Sequence, residues 1–192
     1  MDVVKVRHHV IKLRLRLIDK ALVIGPLWLG LAEFVRQFPH ESVTIGHSAG
    51  GHLALWAAGR STLPDGAPGA GPIVRPCLAI GMAPVADLAR AHHLGVGGQA
   101  VARLLGGTPD AVPGRYELAS PAARLPMGVP QVLVHGTDDG AVPVSLSHEY
   151  TEAATAAGDD VELVTVPDEG HMACLDTQST AWRTAAEAFA RV

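Results

Sequence analysis

Residues 42–60, SVTIGHSAGGHLALWAAGR, turn a strand into a helix within two or three residues. Val43, Thr44 and Ile45 make an apolar, β-branched run suited to a buried strand, and HLALWAA has the composition of a helix. Between them stands Ser48, with Gly46 two places before it and Gly50 two places after. An ordinary turn does not need that arrangement. A serine held in a strained backbone conformation does, because side chains at Gly46 and Gly50 would collide across so tight a corner. The serine hydroxyl would then project above the carboxyl ends of the strands.

The rest of the chain repeats strand and helix. CLAIGMAPV, PQVLVHG and VELVTVP read as buried strands, while VSLSHEYTEAATAAG and TQSTAWRTAAEAFARV have helical spacing. Upstream, KLRLRLI at 12–18 alternates with the period of a half-exposed strand, ALVIG at 21–25 is a short strand, and LWLGLAEFVRQF is a helix stopping before Pro39. Continuous apolar strands separated by helices predict a parallel sheet covered on both faces, the α/β class. A loop rich in Pro, Gly and Ala spans 61–76, and the segment from Asp87 to Pro126 mixes short helical pieces with glycine turns. Residues 1–192 read as one domain, with 1–40 atypical and 87–126 a candidate partial cap over the site.

Bulk properties exclude some classes of function. A net charge of −4 on 192 residues gives no case for nucleic acid or a membrane surface. Lys5, Lys12 and Lys20 are the only lysines; the first twenty residues carry +4 and the remainder −8. A basic start before ALVIGPLWLGLA could suggest a signal peptide, but the basic region is long, Pro26 interrupts the apolar run and no small-x-small cleavage site follows. The expectation is a cytoplasmic protein. Cys77 and Cys174 are far apart and outside any ligand spacing, so they read as thiols. No metal or organic cofactor is expected.

A serine hydroxyl is a weak nucleophile without a base, and the base needs an orienting carboxylate. In a strand–Gly-x-Ser-x-Gly–helix corner the partners follow in the order acid, then histidine, each after a later strand. VLVHGTDDGAVP supplies Asp138 or Asp139, and VTVPDEGHM supplies His171. The Ala49 N–H, at the start of the helix, is placed to receive an oxyanion.

With these motifs the chain resembles the α/β-hydrolase superfamily. GHSAGGHLALWAAGR and HGTDDGAVPVSLSHEY are similar to its esterase, kynurenine-formamidase-like and dipeptidyl-peptidase-like branches, from about residue 40 to the end. The resemblance implies that the acid is Asp139, four residues after His135 and four before Pro143. It also implies more strands before the serine and a His-Gly loop donating a second oxyanion N–H. Residues 1–47 contain no His-Gly pair. Since Pro26 has no N–H, Leu27 or Trp28 would have to donate. The N-terminal part is therefore expected to be shortened or replaced, with a sheet reduced on that side and an uncovered edge that invites a homodimer.

These readings predict a serine hydrolase that cleaves a small carboxylic ester through an acyl-enzyme, with turnover weakened if the oxyanion hole is incomplete. Hydrolysis of an aryl formamide by the same steps, or a non-catalytic binding module, are the alternatives. The substrate partner is a small ester or amide. Among the other histidines, His52 and His135 read as packing or hydrogen-bonding groups, and His47 as shaping the site without being the base. His92 and His93 have no metal spacing, and Asp168 and Glu169 read as solvated loop charges.

Overall fold

The computed structural model describes residues 42–192. The strands expected at 12–18 and 21–25 and the helix before Pro39 lie outside them. Among the described residues, four strands form one parallel sheet in the order β1 (Val43–His47), β2 (Leu78–Met82), β3 (Gln131–Gly136), β4 (Val161–Val166). The register pairs Ile45 with Ile80, Ile80 with Val132 and Val132 with Glu162. Every residue of β2 and β3 is buried. That is why their sequences are continuously apolar rather than alternating.

Successive side chains point to opposite faces, and each face has its own helices. On one side Leu78, Ile80, Met82, Val132 and Val134 pack against α6 (Thr180–Ala190) through Ala181, Ala185 and Ala188. Small residues at those helical spacings let the helix lie close to the sheet. On the other side Ala79 and Leu133 meet Leu55 and Ala58 of α1 (Ala49–Ala58) and Tyr150 and Ala154 of α5 (Ser145–Ala157).

Between β2 and β3 run α2 (Leu88–His93), α3 (Ala100–Leu105) and α4 (Pro113–Ala119). Their apolar residues, including Leu88, Val101, Leu105 and Tyr116, pack with Val142 and Leu146 around α5. This segment is tied to α1 as well. His52 and Trp56, one turn apart, donate to the Ala119 and Leu118 carbonyls at 2.9 and 2.8 Å, using the otherwise free acceptors at the end of α4.

Candidate active site

Ser48 alone makes the corner between β1 and α1, with φ 55° and ψ −119°. Such a conformation costs a non-glycine residue about 1–3 kcal/mol and persists only where its surroundings hold it. Its N–H donates to Met82 O at the end of β2 (2.8 Å), and its carbonyl accepts from the His52 N–H (3.0 Å). Gly46 is required because a Cβ there would overlap the Gly50 carbonyl. The expectation for Gly50 is corrected: a Cβ at that position would meet nothing within 4 Å. The second tight position is Gly51, where a Cβ would lie 2.9 Å from Pro84 Cβ. The helix presents Gly51, not Gly50, to the turn that ends β2. Ala49, the first residue of α1, is exposed, and its N–H belongs to the first turn, where no intrahelical acceptor exists.

Asp139 follows β3 and its side chain is fully buried, 0% exposed. Oδ1 accepts the Ala141 and Val142 N–H groups, both at 2.8 Å. Oδ2 accepts from His171 Nδ1 at 2.6 Å and lies 3.2 Å from His135 Nε2. Burial pushes this carboxyl upward, but the Val142 N–H, the His171 bond and the Ala141 N–H outweigh it and hold the pKa below the usual carboxylate value. Asp138 is exposed, accepts only a local bond from Thr137 Oγ1 at 3.2 Å, and does not meet His171.

His171 opens a short 3₁₀ turn (His171–Leu175) after β4, with its side chain 16% exposed. A carboxylate can only accept, so Nδ1 carries the proton and Nε2 carries the lone pair. The loops bearing Asp139 and His171 are stitched together. Thr137 N–H donates to Val166 O (2.9 Å) and Asp138 N–H to Glu169 O (3.0 Å). Gly136 is glycine because a Cβ would overlap that Glu169 carbonyl.

One expectation about the charged neighbours changes and one holds. Glu169 is not simply a solvated charge: its carboxylate accepts the Thr180 and Ala181 N–H groups at 2.7 and 3.0 Å, capping α6. Asp168 does sit exposed in the loop, at φ 60°.

His135 is fully buried. Its Nε2 faces Val142 O (2.9 Å) as well as Asp139, both acceptors, so Nε2 is protonated and Nδ1 accepts from Ser147 Oγ (2.7 Å). Burial lowers its pKa, which keeps it neutral. The sequence reading found a structural histidine but not that it completes the set of four donors around Asp139.

His47, the last residue of β1, places its ring 4.4 Å from that of His171 and bonds the His171 carbonyl through Nε2 at 2.9 Å. No sequence signal could reveal a contact across 124 positions. His92 and His93 stack edgewise at 5.9 Å, and among the described residues no cluster of His, Cys, Asp and Glu has a metal-holding arrangement. Cys77 and Cys174 are free thiols, and burial pushes Cys174 up to about 11. Leu27 and Trp28, expected near the oxyanion, lie outside the described residues.

A parallel sheet with helices on both faces, a strained serine at a strand-to-helix corner and acid and histidine loops on later strands define an α/β-hydrolase-type fold. The profile of the prolyl oligopeptidase family (Peptidase_S9) matches residues 78–191, and the chain belongs to that family. Among solved structures it is similar to the acetyl ester-xyloside bifunctional hydrolase of Caldicellulosiruptor lactoaceticus, at 27% identity and TM-score 0.60, covering 82% of this chain and 60% of that one. It is also similar to the thermophilic esterase Est2 of Thermogutta terrifontis. The propionate-bound form matches at 26% identity and TM-score 0.60, covering 84% of this chain and 60% of that one. The form phosphoramylated by tabun matches at 25% identity and TM-score 0.61, with the same coverage. The chain thus spans about 60% of the length of these structures. No curated protein sequence matches it.

Proposed function

We propose that the protein is a serine hydrolase of small carboxylic esters, with Ser48 as nucleophile, His171 as base and Asp139 as the group that orients it. One observation carries the reading: a fully buried carboxylate, saturated by backbone and histidine donors, holds Nδ1 of a partly exposed histidine at 2.6 Å. That leaves the Nε2 lone pair free. His47, bonded to the His171 carbonyl, is the residue immediately before Ser48, so the serine's corner and the base are neighbours.

His171 Nε2 removes the Ser48 proton as Oγ attacks the ester carbonyl carbon, and the oxyanion accepts the Ala49 N–H. Collapse breaks the ester C–O bond, the alkoxide takes the proton from His171, and an alcohol leaves. Water, deprotonated by His171, then attacks the acyl-enzyme, releasing the carboxylic acid and restoring Ser48. Asp139 remains ionised throughout and stabilises the imidazolium. Ester rather than peptide substrates are favoured because structural relatives above 25% identity include a protein described as an acetyl-ester hydrolase and an esterase with propionate bound.

The test is hydrolysis of p-nitrophenyl acetate together with labelling by a fluorophosphonate, in wild type and Ser48→Ala. Turnover and labelling are expected in wild type only. Equal background hydrolysis in both, with neither labelled, refutes the enzyme reading and leaves the binding-module alternative. An N-formyl arylamine run in parallel decides between ester and formamide.

A further inference from the structure

We propose that His47 is a positioning residue for His171, acting through the bond from its Nε2 to the His171 carbonyl and through contact between the two rings. The inference rests on the triad reading above and goes beyond it. Asp139 fixes one atom of the imidazole, Nδ1, and a ring held at one nitrogen can still rock about that bond. The main chain beneath it is held farther along the turn, where Ser179 Oγ donates to the Ala173 carbonyl at 2.7 Å. His171 starts a five-residue 3₁₀ turn whose apolar members Met172 and Leu175 are 65% and 50% exposed, so they add little packing. Cys174 is the buried member of that turn.

His47 adds two restraints at His171 itself. The carbonyl can only accept, so His47 Nε2 carries its proton and donates at 2.9 Å, tying the base's backbone to the end of β1. The ring then covers the His171 ring at 4.4 Å with an interplanar angle of 46°. Because Ser48 is the next residue in the chain, the same contact sets the spacing between nucleophile and base. Burial lowers the His47 pKa, against the pull of its bond to the His171 carbonyl. A neutral ring there can lie beside a His171 imidazolium without repelling it.

The experiment compares His47→Ala, His47→Phe, which keeps a ring but no donor, and His47→Gln, which keeps an N–H donor. The readouts are kcat and KM on p-nitrophenyl acetate, thermal midpoint, and the low-field proton resonance of His171 Nδ1–H. The Ala and Phe variants should lose on the order of tenfold to a hundredfold in kcat with KM little changed, and the resonance should broaden. The Gln variant should recover most of the rate and the sharp resonance. Wild-type kcat and a sharp resonance in all three variants overturn the proposal. So does a Gln variant no better than Ala, or a loss that merely follows the thermal midpoint. His171→Gln separates the two levels: full activity there, or no low-field resonance in wild type, refutes the triad and this role with it. Inactive His171→Gln beside fully active His47 variants refutes the positioning role alone.

Discussion

Asp139→Asn tests the site most sharply, because the surrounding donors dictate how the new amide must sit. Oδ1 of Asp139 receives two backbone N–H groups at 2.8 Å, from Ala141 and Val142. An amide nitrogen cannot occupy that position, so the asparagine carbonyl takes it and the NH₂ group replaces Oδ2. The amide then donates toward His171 Nδ1, where the carboxylate had accepted at 2.6 Å. His171 is forced to carry its proton on Nε2, the atom that must accept the serine proton. Loss of the correct tautomer in a serine–histidine–carboxylate site costs about 10⁴-fold in kcat, which is about 5.5 kcal/mol of barrier. The amide also faces His135 Nε2, 3.2 Å from Oδ2, donor to donor. One unsatisfied buried donor costs about 1–3 kcal/mol of stability, a drop of several degrees in thermal midpoint. The assay is steady-state hydrolysis of p-nitrophenyl acetate with calorimetry on the same samples. Asp138→Asn, at an exposed position, is the control and should keep its rate. A Asp139→Asn variant within tenfold of wild type, or an equal loss in Asp138→Asn, refutes the reasoning.

The glycines at the corner should separate cleanly. Gly46→Ala drives a methyl into the Gly50 carbonyl and should cost several kcal/mol or abolish folding, whereas Gly50→Ala meets open space and should shift stability by less than about 1 kcal/mol, read by urea denaturation. Stability should fall on acidification from neutral pH. His52 and His135 have pKa values lowered from 6.5 by burial, so the unfolded chain binds protons first; their contribution is complete above about 6.5 and declines below it. A urea midpoint unchanged between pH 7.5 and 5 would contradict this. Asp139 acts in a lower window: its carboxyl is held below the usual value, so its contribution is present above that value and lost as pH falls through the folded one. The stability gap between wild type and Asp139→Asn should therefore close in strong acid. Glu169→Gln should lower the thermal midpoint by a few degrees, since a charged cap at a helix N-terminus is worth about 1 kcal/mol; no change would mean the cap contributes nothing.

Much of the described fold was legible because its strands are apolar runs bounded by glycine and proline. The expected strand PQVLVHG appears as Gln131–Gly136 and VELVTVP as Val161–Val166, each one residue shorter. CLAIGMAPV overshot further. Ala83 leaves the strand at φ 43°, and Pro84 has no N–H for a ladder, so β2 ends at Met82. The candidates Ser48, Asp139 and His171 were picked out for a related reason: each follows a strand, and strand ends can be counted along a chain. The preference for Asp139 over Asp138 was implied by the family resemblance, whose motif counts four residues on from His135 and four back from Pro143. The structure gives that spacing a cause, since His135 Nε2 lies 3.2 Å from Asp139 while Val142, next to Pro143, donates to it at 2.8 Å.

What escaped the sequence is the set of contacts between strand ends, and these decide whether three candidate residues can make one site. β2 brings no side chain to the chemistry, yet it accepts the Ser48 N–H through Met82 O and holds Gly51 against Pro84. Gly136 shows the same logic: its missing Cβ leaves room for the Glu169 carbonyl, two residues before His171, and so sets how closely the loops bearing Asp139 and His171 approach. Both glycines sit where two backbones meet, and neither belongs to a reacting group. A sequence pattern records such positions only as glycine, which many unrelated turns also require. The geometry tells them apart, because filling Gly136 or Gly51 would separate residues distant in the chain, whereas filling Gly50 would separate nothing.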